Sequence, residues 1–291
     1  MKSSLRILTK SILAFCAISF GSDLSYAAPL IKAGETVAFL GDSITEYGSN
    51  HPFGYVRLVE QALEINDTKI TVIPAGISGH KSNQMLARLE KDVLSKKPQW
   101  MTLSCGVNDV WHGPNGVPLD DYKKNITSIL DQCEQANIKV IILTATQIRL
   151  PLDNPPNTKL AAYNDFLRDI AKSRNIPLAD VSADMVAEQK SISDAGKTRV
   201  LTEDGVHMNP FGDMMMAKGV LRAMGLSAPE IAKAEAKWRT SPNAFPVRVA
   251  PKVSLEEYEK LEAAAAAAKQ TLEDWATNQT ATQLRNSALK P

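Results

Sequence analysis

Histidine is scarce in this chain, with four in 291 residues, and cysteine is scarcer, with three. Neither type clusters: no Cys-x-x-Cys pair and no His-Glu-x-x-His occurs, and these are the spacings that metal centres and redox thiols need. An excess of one charge sign is also missing. Lysine plus arginine number 33 against 32 for aspartate plus glutamate, a formal net charge of +1. That removes any general electrostatic reason to expect nucleic acid or an anionic membrane as partner. Beyond the first residues no apolar run approaches the roughly 20 positions that span a bilayer as a helix. Gly-x-Ser-x-Gly is absent, which argues against the nucleophile elbow of an α/β-hydrolase lipase, and so are Gly-x-Gly-x-x-Gly and the P-loop. With 44% hydrophobic and 22% charged residues, the chain nevertheless has the composition of a folded protein with a full core.

What is present begins with a leader. Lys2, Arg6 and Lys10 precede the apolar run from Ser11 to Gly21, and the small-residue segment Ser25-Tyr26-Ala27-Ala28 follows. This is the pattern of a secretory signal over residues 1–27. Cleavage after Ala27 leaves 291 − 27 = 264 residues, and the mature protein is expected to be exported, periplasmic or extracellular, without stable membrane insertion. Cys16 is a poor lipid-attachment site because bulky Phe15 precedes it. Cys105 and Cys133 sit at apolar spacing and read as buried free thiols, with a disulfide between them as the alternative in an oxidising compartment.

From residue 35 to about 225, short β-branched runs alternate with segments of helical period, the pattern of repeated βαβ units around a parallel sheet. Strands are expected at 36–40, 70–73, 100–104, 140–144 and 177–181, with helices at 54–64, 83–95, 119–136 and 159–173. Asn209-Pro210, a capping residue followed by proline at the first helical position, should start a helix running to about Met224. An α/β domain over residues 28–226 follows. Residues 227–291 read as a helical extension with a proline-containing linker near 239–253. There Ser254 and Glu257 form a capping box opening one long helix that contains six alanines, 263–268. This extension is expected to pack on the domain or to self-associate weakly, with a partner-binding arm as the alternative.

The chemistry gathers at strand ends. Gly41-Asp42-Ser43 lies between the first strand and the first helix, so Ser43 sits at the carboxyl edge of the sheet, where open α/β folds bind ligands; a plain capping serine is the alternative. Asp42 reads as structural. "PAGISGHKS" brings Gly76 and Gly79 to the same edge, and "SCGVNDVWHG" brings Gly106 and the amide donor Asn108. Asp204-Gly205-Val206-His207 spaces a carboxylate to fix one imidazole tautomer while the second ring nitrogen faces the site. A serine, a histidine with an orienting aspartate, and convergent donors are the parts that acyl transfer requires. Trp111 and His112, just past Asn108, either line the pocket, with an aromatic face for a sugar ring, or form a packed loop. His51 and His80 lack a carboxylate at the spacing of Asp204 and His207.

In order and spacing, the blocks Gly41-Asp-Ser-Ile-Thr45, Gly79, Gly106-Val-Asn-Asp109 and Asp204-Gly-Val-His207 resemble those of the SGNH hydrolases, the GDSL esterases and lipases. The resemblance implies a flavodoxin-like three-layer α/β/α fold whose five-stranded parallel sheet has the order 2-1-3-4-5. It also implies Ser43 as nucleophile, His207 as base, Asp204 as its orienter, and an oxyanion hole from the amides of Ser43 and Gly79 and the side chain of Asn108. No metal or organic cofactor is implied. One departure is His80, which stands where many relatives carry aspartate after the second-block glycine. The expected activity is that of an exported serine esterase removing a short acyl group, acetate above all, from a carbohydrate. A lysophospholipase, thioesterase or general short-chain esterase with the same machinery is the alternative, and a non-catalytic carbohydrate-binding module is the reading from another class.

Overall fold

The computed structural model describes residues 29–197, 200–241 and 253–288. The expected leader, with Cys16, and residues 242–252 of the expected linker lie outside the described residues. Two compact units divide at Ser241 and Pro242.

The first unit is built on five strands: β1 (Thr36–Gly41), β2 (Thr71–Gly76), β3 (Trp100–Ser104), β4 (Lys139–Leu143) and β5 (Leu178–Ala179). All pair in parallel in the order β2-β1-β3-β4-β5. Near-continuous apolar runs are what a parallel sheet covered on both faces demands, and Val37 to Leu40, Met101 and Ile141 to Leu143 are wholly buried. The second strand extends three residues past its expected end, through Pro74 to Gly76. Proline lacks the N–H of a ladder donor, and it is accommodated because β2 is an edge strand. β5, also at an edge, shrinks to two residues.

Around the sheet lie α1 (Ser43–Asn50), α2 (Tyr55–Ile65), α3 (Ser82–Asp92), α4 (Val107–Trp111), α5 (Leu119–Gln135), α6 (Pro155–Ser173), α7 (Val181–Asp194), α8 (Pro210–Ala223) and α9 (Ala228–Arg239). As expected, Asn209 caps α8, its Oδ1 accepting from the amides of Phe211 and Gly212 at 3.0 and 3.1 Å. Helix α2 begins after Gly54, which has no side chain to cap it, and Asp213 of α8 takes the Tyr55 amide instead at 2.9 Å. That bond fastens the start of α8 to α2, so the loop preceding α8 is fixed to the same side of the sheet as α1. Cys105 and Cys133 are free and buried.

The domain boundary expected near residue 226 moves. Helix α9 buries Ile231, Ala234 and Trp238, the i, i+3, i+7 stripe of a helix docked on a core, so the first unit continues to Ser241. In the second unit the single long helix is also corrected. α10 (Leu255–Ala267) and α11 (Leu272–Ala288) are separate. After Ala268, Lys269 turns left-handed at φ 55°. The amides of Lys269 and Gln270 reach back to the carbonyls of Ala266 and Ala265 at 2.9 and 3.1 Å, the double bond of a Schellman stop. Thr271 then accepts from the Asp274 amide at 3.1 Å and starts α11. Among the described residues no helix is long and apolar enough to cross a membrane.

Candidate active site

Ser43 is the first residue of α1, directly behind β1. Asp42 caps that helix, its Oδ1 accepting from the Ile44 amide at 3.0 Å, so the side chain turns inward as a structural group. Burial, the main influence, pushes the Asp42 carboxyl up to about 6, further raised by Asp109 and partly countered by its backbone bonds and by His207. Ser43 is itself largely buried.

His207 arrives from the loop before α8. Thr202 and Met208 pair as an isolated antiparallel bridge, and the Glu203 amide donates to the His207 carbonyl at 2.9 Å, closing a tight loop over Asp204 to Val206. Gly205 adopts φ +96°, and a β-carbon there would lie 2.5 Å from Arg149 Cγ, so the loop accepts only glycine without rearrangement. Asp204 Oδ1 accepts from the amides of Val206 and His207, both at 2.9 Å, and Oδ2 lies 2.6 Å from His207 Nδ1. Burial raises the Asp204 carboxyl, but the bonds from His207 and the two amides outweigh it and hold the group at about 2. Asp204 is therefore ionised, Nδ1 carries the imidazole proton and donates it, and Nε2 is left as the acceptor. Ser43 Oγ is 2.8 Å from that Nε2. Three sequence candidates from positions 43, 204 and 207 are thus one continuous hydrogen-bonded line.

The donors expected to face them come from the neighbouring strand ends. The Ser43 amide belongs to the unpaired first turn of α1, and the Gly79 amide, in a turn with φ +76°, likewise meets no internal acceptor among the described residues. Asn108 is buried in α4 and donates one Nδ2 hydrogen to the His80 carbonyl at 3.2 Å; its second hydrogen remains for a ligand. Asp109 ties α4 down, accepting from the amide and hydroxyl of Ser82 at 3.0 and 2.6 Å. His80, in the place of the relatives' aspartate, accepts at Nδ1 from Arg88 Nε at 3.2 Å. Burial and then the Arg88 charge lower its basicity, so it serves as a neutral acceptor there.

Trp111 ends α4, and one of its faces carries the guanidinium of Arg149, 4.6 Å from the ring centroid. The bare aromatic face expected for a sugar is thus occupied on one side. His112 is exposed at the end of α4. Sequence reasoning missed four residues. Arg88 and Arg149 carry no motif. Asn157 accepts from the Ile148 amide at 2.7 Å and donates to the Arg149 carbonyl at 3.2 Å, a long-range role invisible in a helical segment. Tyr47 had a signal: four positions after Ser43 it shares the serine's helix face, and its ring centroid lies 4.9 Å from that of His207. A large cavity of about 1010 Å³, lined by Trp100, Lys139 and Pro177 among others, opens at the opposite edge of the sheet, where strands begin; it is far from these groups.

Residues 39–214 match the model of a family described as the GDSL-like Lipase/Acylhydrolase family. An acetylxylan esterase of Geobacillus stearothermophilus is 29% identical over 214 residues, covering 67% of this chain and 96% of that protein. Its solved catalytic mutants replace a serine, an aspartate or a histidine by alanine, the last two three positions apart. The crystal structure of another acetyl xylan esterase matches with a TM-score of 0.60 at 32% identity, covering 65% of this chain and 98% of that one. Thioesterase 1/protease 1/lysophospholipase L1 of Escherichia coli (strain K12) is 28% identical over 191 residues, 64% of this chain and 83% of that protein.

Proposed function

Since this chain belongs to the GDSL-like lipase/acylhydrolase family and is a serine carboxylic ester hydrolase, we propose that it is an exported enzyme removing acetyl groups from a carbohydrate. The observation that carries the reaction is the line from Asp204 through His207 to Ser43, with contacts of 2.6 and 2.8 Å. Ser43 Oγ attacks the ester carbonyl as His207 Nε2 takes its proton, and Asp204 stabilises the imidazolium so formed. The amides of Ser43 and Gly79 and the Asn108 side chain receive the oxyanion. His207 then returns the proton to the departing sugar hydroxyl, leaving acetyl on Ser43. Water, deprotonated by the same nitrogen, attacks that ester, and release of acetate restores the serine.

The acetyl and carbohydrate choices are supported by the two acetylxylan esterases, which this chain matches over 96% and 98% of their lengths. Export is supported by the basic, apolar and small-residue order of residues 1–27. The test is acetate release from a panel of acetylated polysaccharides, with fluorophosphonate labelling of folded protein at Ser43 beside it. Release from at least one polysaccharide is expected. Failure to label Ser43 would instead support a binding module on a hydrolase scaffold.

A second reading, thioester or lysophospholipid hydrolysis, is favoured by the Escherichia coli relative. Chain-length profiling on nitrophenyl esters separates the two, because a preference for acyl chains of eight or more carbons contradicts an acetylesterase.

A further inference from the structure

The stack of Arg149 on Trp111 is not used in the chemistry above, yet it joins the two loops that bracket it. Trp111 stands three residues after Asn108, on the same face of α4 and one turn further out. Arg149 donates its amide to the Gly205 carbonyl at 2.6 Å, and Gly205 separates Asp204 from His207. The Arg149 side chain therefore starts beside the His207 loop and ends over the Asn108 helix, along the rim of the site.

Its backbone is held on both sides. The Arg149 carbonyl accepts from Asn154 Nδ2 and Asn157 Nδ2, each at 3.2 Å, and the preceding amide of Ile148 is fixed on Asn157 Oδ1 at 2.7 Å. The cation–π contact then favours one placement of the far end, over the Trp111 ring, before any ligand arrives. Its N–H edge has no counter-ion among the described residues. Among the described residues Arg57, Arg88, Arg168, Arg174, Arg222 and Arg239 each pair with a carboxylate. Arg149, at the site, meets none. A second cation is tied to the turn after α4: Lys81, two residues after Gly79, donates from its ammonium to the Asn115 carbonyl at 2.7 Å. The nearest catalytic carboxylate, Asp204, is already taken up by His207 and two amides.

A planar guanidinium with one face against a ring and a free donor edge is a receptor for a carboxylate, which it meets with two parallel hydrogen bonds. We propose that Arg149, braced on Trp111, is a specificity subsite for an anionic group on the alcohol half of the ester, so that the preferred saccharide carries a uronate carboxylate beside its acetylated residue. This rests on the carbohydrate-esterase reading. The subsite binds the leaving half and takes no part in bond making.

The test compares initial rates of the full chain on two acetylated xylooligosaccharides that differ only in a uronic acid neighbouring the acetylated unit. The native enzyme should show a higher kcat/KM for the acidic one at low salt, and the preference should shrink as salt rises. In Arg149→Gln, which keeps most of the stem and loses the charge, the acidic-to-neutral ratio should fall about tenfold, with Arg149→Lys intermediate. A native ratio of one, or an equal fall on both substrates in Arg149→Gln, overturns the subsite and makes Arg149 a positioning residue for Gly205 alone. Hydrolysis of nitrophenyl acetate without acetate release from either oligosaccharide or from any polysaccharide of the panel above defeats the carbohydrate reading, and the subsite with it. A thermal melt of each variant separates misfolding from these outcomes.

Discussion

Arg88 Nη2 donates to the carbonyl of Gly41 at 2.8 Å, although 47 positions separate them. The same guanidinium reaches the Ala75 carbonyl at 2.8 Å, His80 Nδ1 at 3.2 Å and Asp92 Oδ2 at 2.9 Å. One buried side chain thereby pins the ends of β1 and β2, from which the turns bearing Ser43 and Gly79 begin. A lysine has a single ammonium and cannot serve these directions together. Arg88→Lys is expected to cost about 2–4 kcal/mol in urea denaturation, since buried acceptors lose their partners. It should also lower kcat/KM per folded molecule by tenfold or more. Lost stability with unchanged kcat/KM would confine Arg88 to a structural role.

Ser43→Ala and His207→Ala should each abolish nearly all turnover on nitrophenyl acetate, with circular dichroism and melting temperature close to those of the native chain. Asp204→Ala removes both the acceptor for Nδ1–H and the one for two loop amides. Its kcat should fall by about three to four orders of magnitude, the scale of losing the tautomer-fixing carboxylate. Full activity in Asp204→Ala would contradict the orienting role.

Asn108 offers the one side-chain donor of the expected oxyanion hole. Asn108→Ala should reduce kcat by about 10² to 10³, near 3–4 kcal/mol of barrier, with a much smaller change in KM, because the interaction strengthens as charge develops. Steady-state kinetics on a short-chain ester check this. A change confined to KM would make Asn108 a substrate contact instead.

The legible part of this protein was whatever depends on local pattern. The five strand positions, the Asn209-Pro210 start of α8 and the three-residue spacing of Asp204 and His207 are all short-range facts, and each reads directly from neighbouring residue types. The meeting of Ser43 with His207 was legible only because all the special turns follow strands of one parallel sheet and so share its edge. What escaped depends on distant partners. Arg88, Arg149 and Asn157 are ordinary helix and loop residues until the fold brings carbonyls to them. The boundary near 226 failed because Gly225 resembles an ending, whereas the apolar stripe of Ile231, Ala234 and Trp238 keeps α9 on the core. The break between α10 and α11 was half legible: Thr271-Leu-Glu-Asp274 is a capping signal, but the alanine run before it suggests no stop.

Asp42 makes the pH dependence of stability testable. Burial lifts its carboxyl from an ordinary value near 3.8 to about 6, so between those values the folded protein binds a proton that the unfolded chain releases. Stability contributed by the neutral acid is fully present below pH 3.8 and is lost as pH rises through 6, a total of about 3 kcal/mol from a shift of this size. Asp109 and Asp213, also raised chiefly by burial, add slopes of the same sign, so the single substitution is what isolates Asp42. Asn accepts the Ile44 amide as aspartate does and is an equally good helix cap, yet it carries no charge at any pH. Asp42→Asn should therefore match the native chain near pH 3, be ahead by about 1 kcal/mol near pH 4.5, and exceed it by about 3 kcal/mol at pH 7.5 in urea denaturation. Equal stability of the two proteins at pH 7.5 would mean that Asp42 is ionised in the folded state without penalty, its charge satisfied by the turn that it caps.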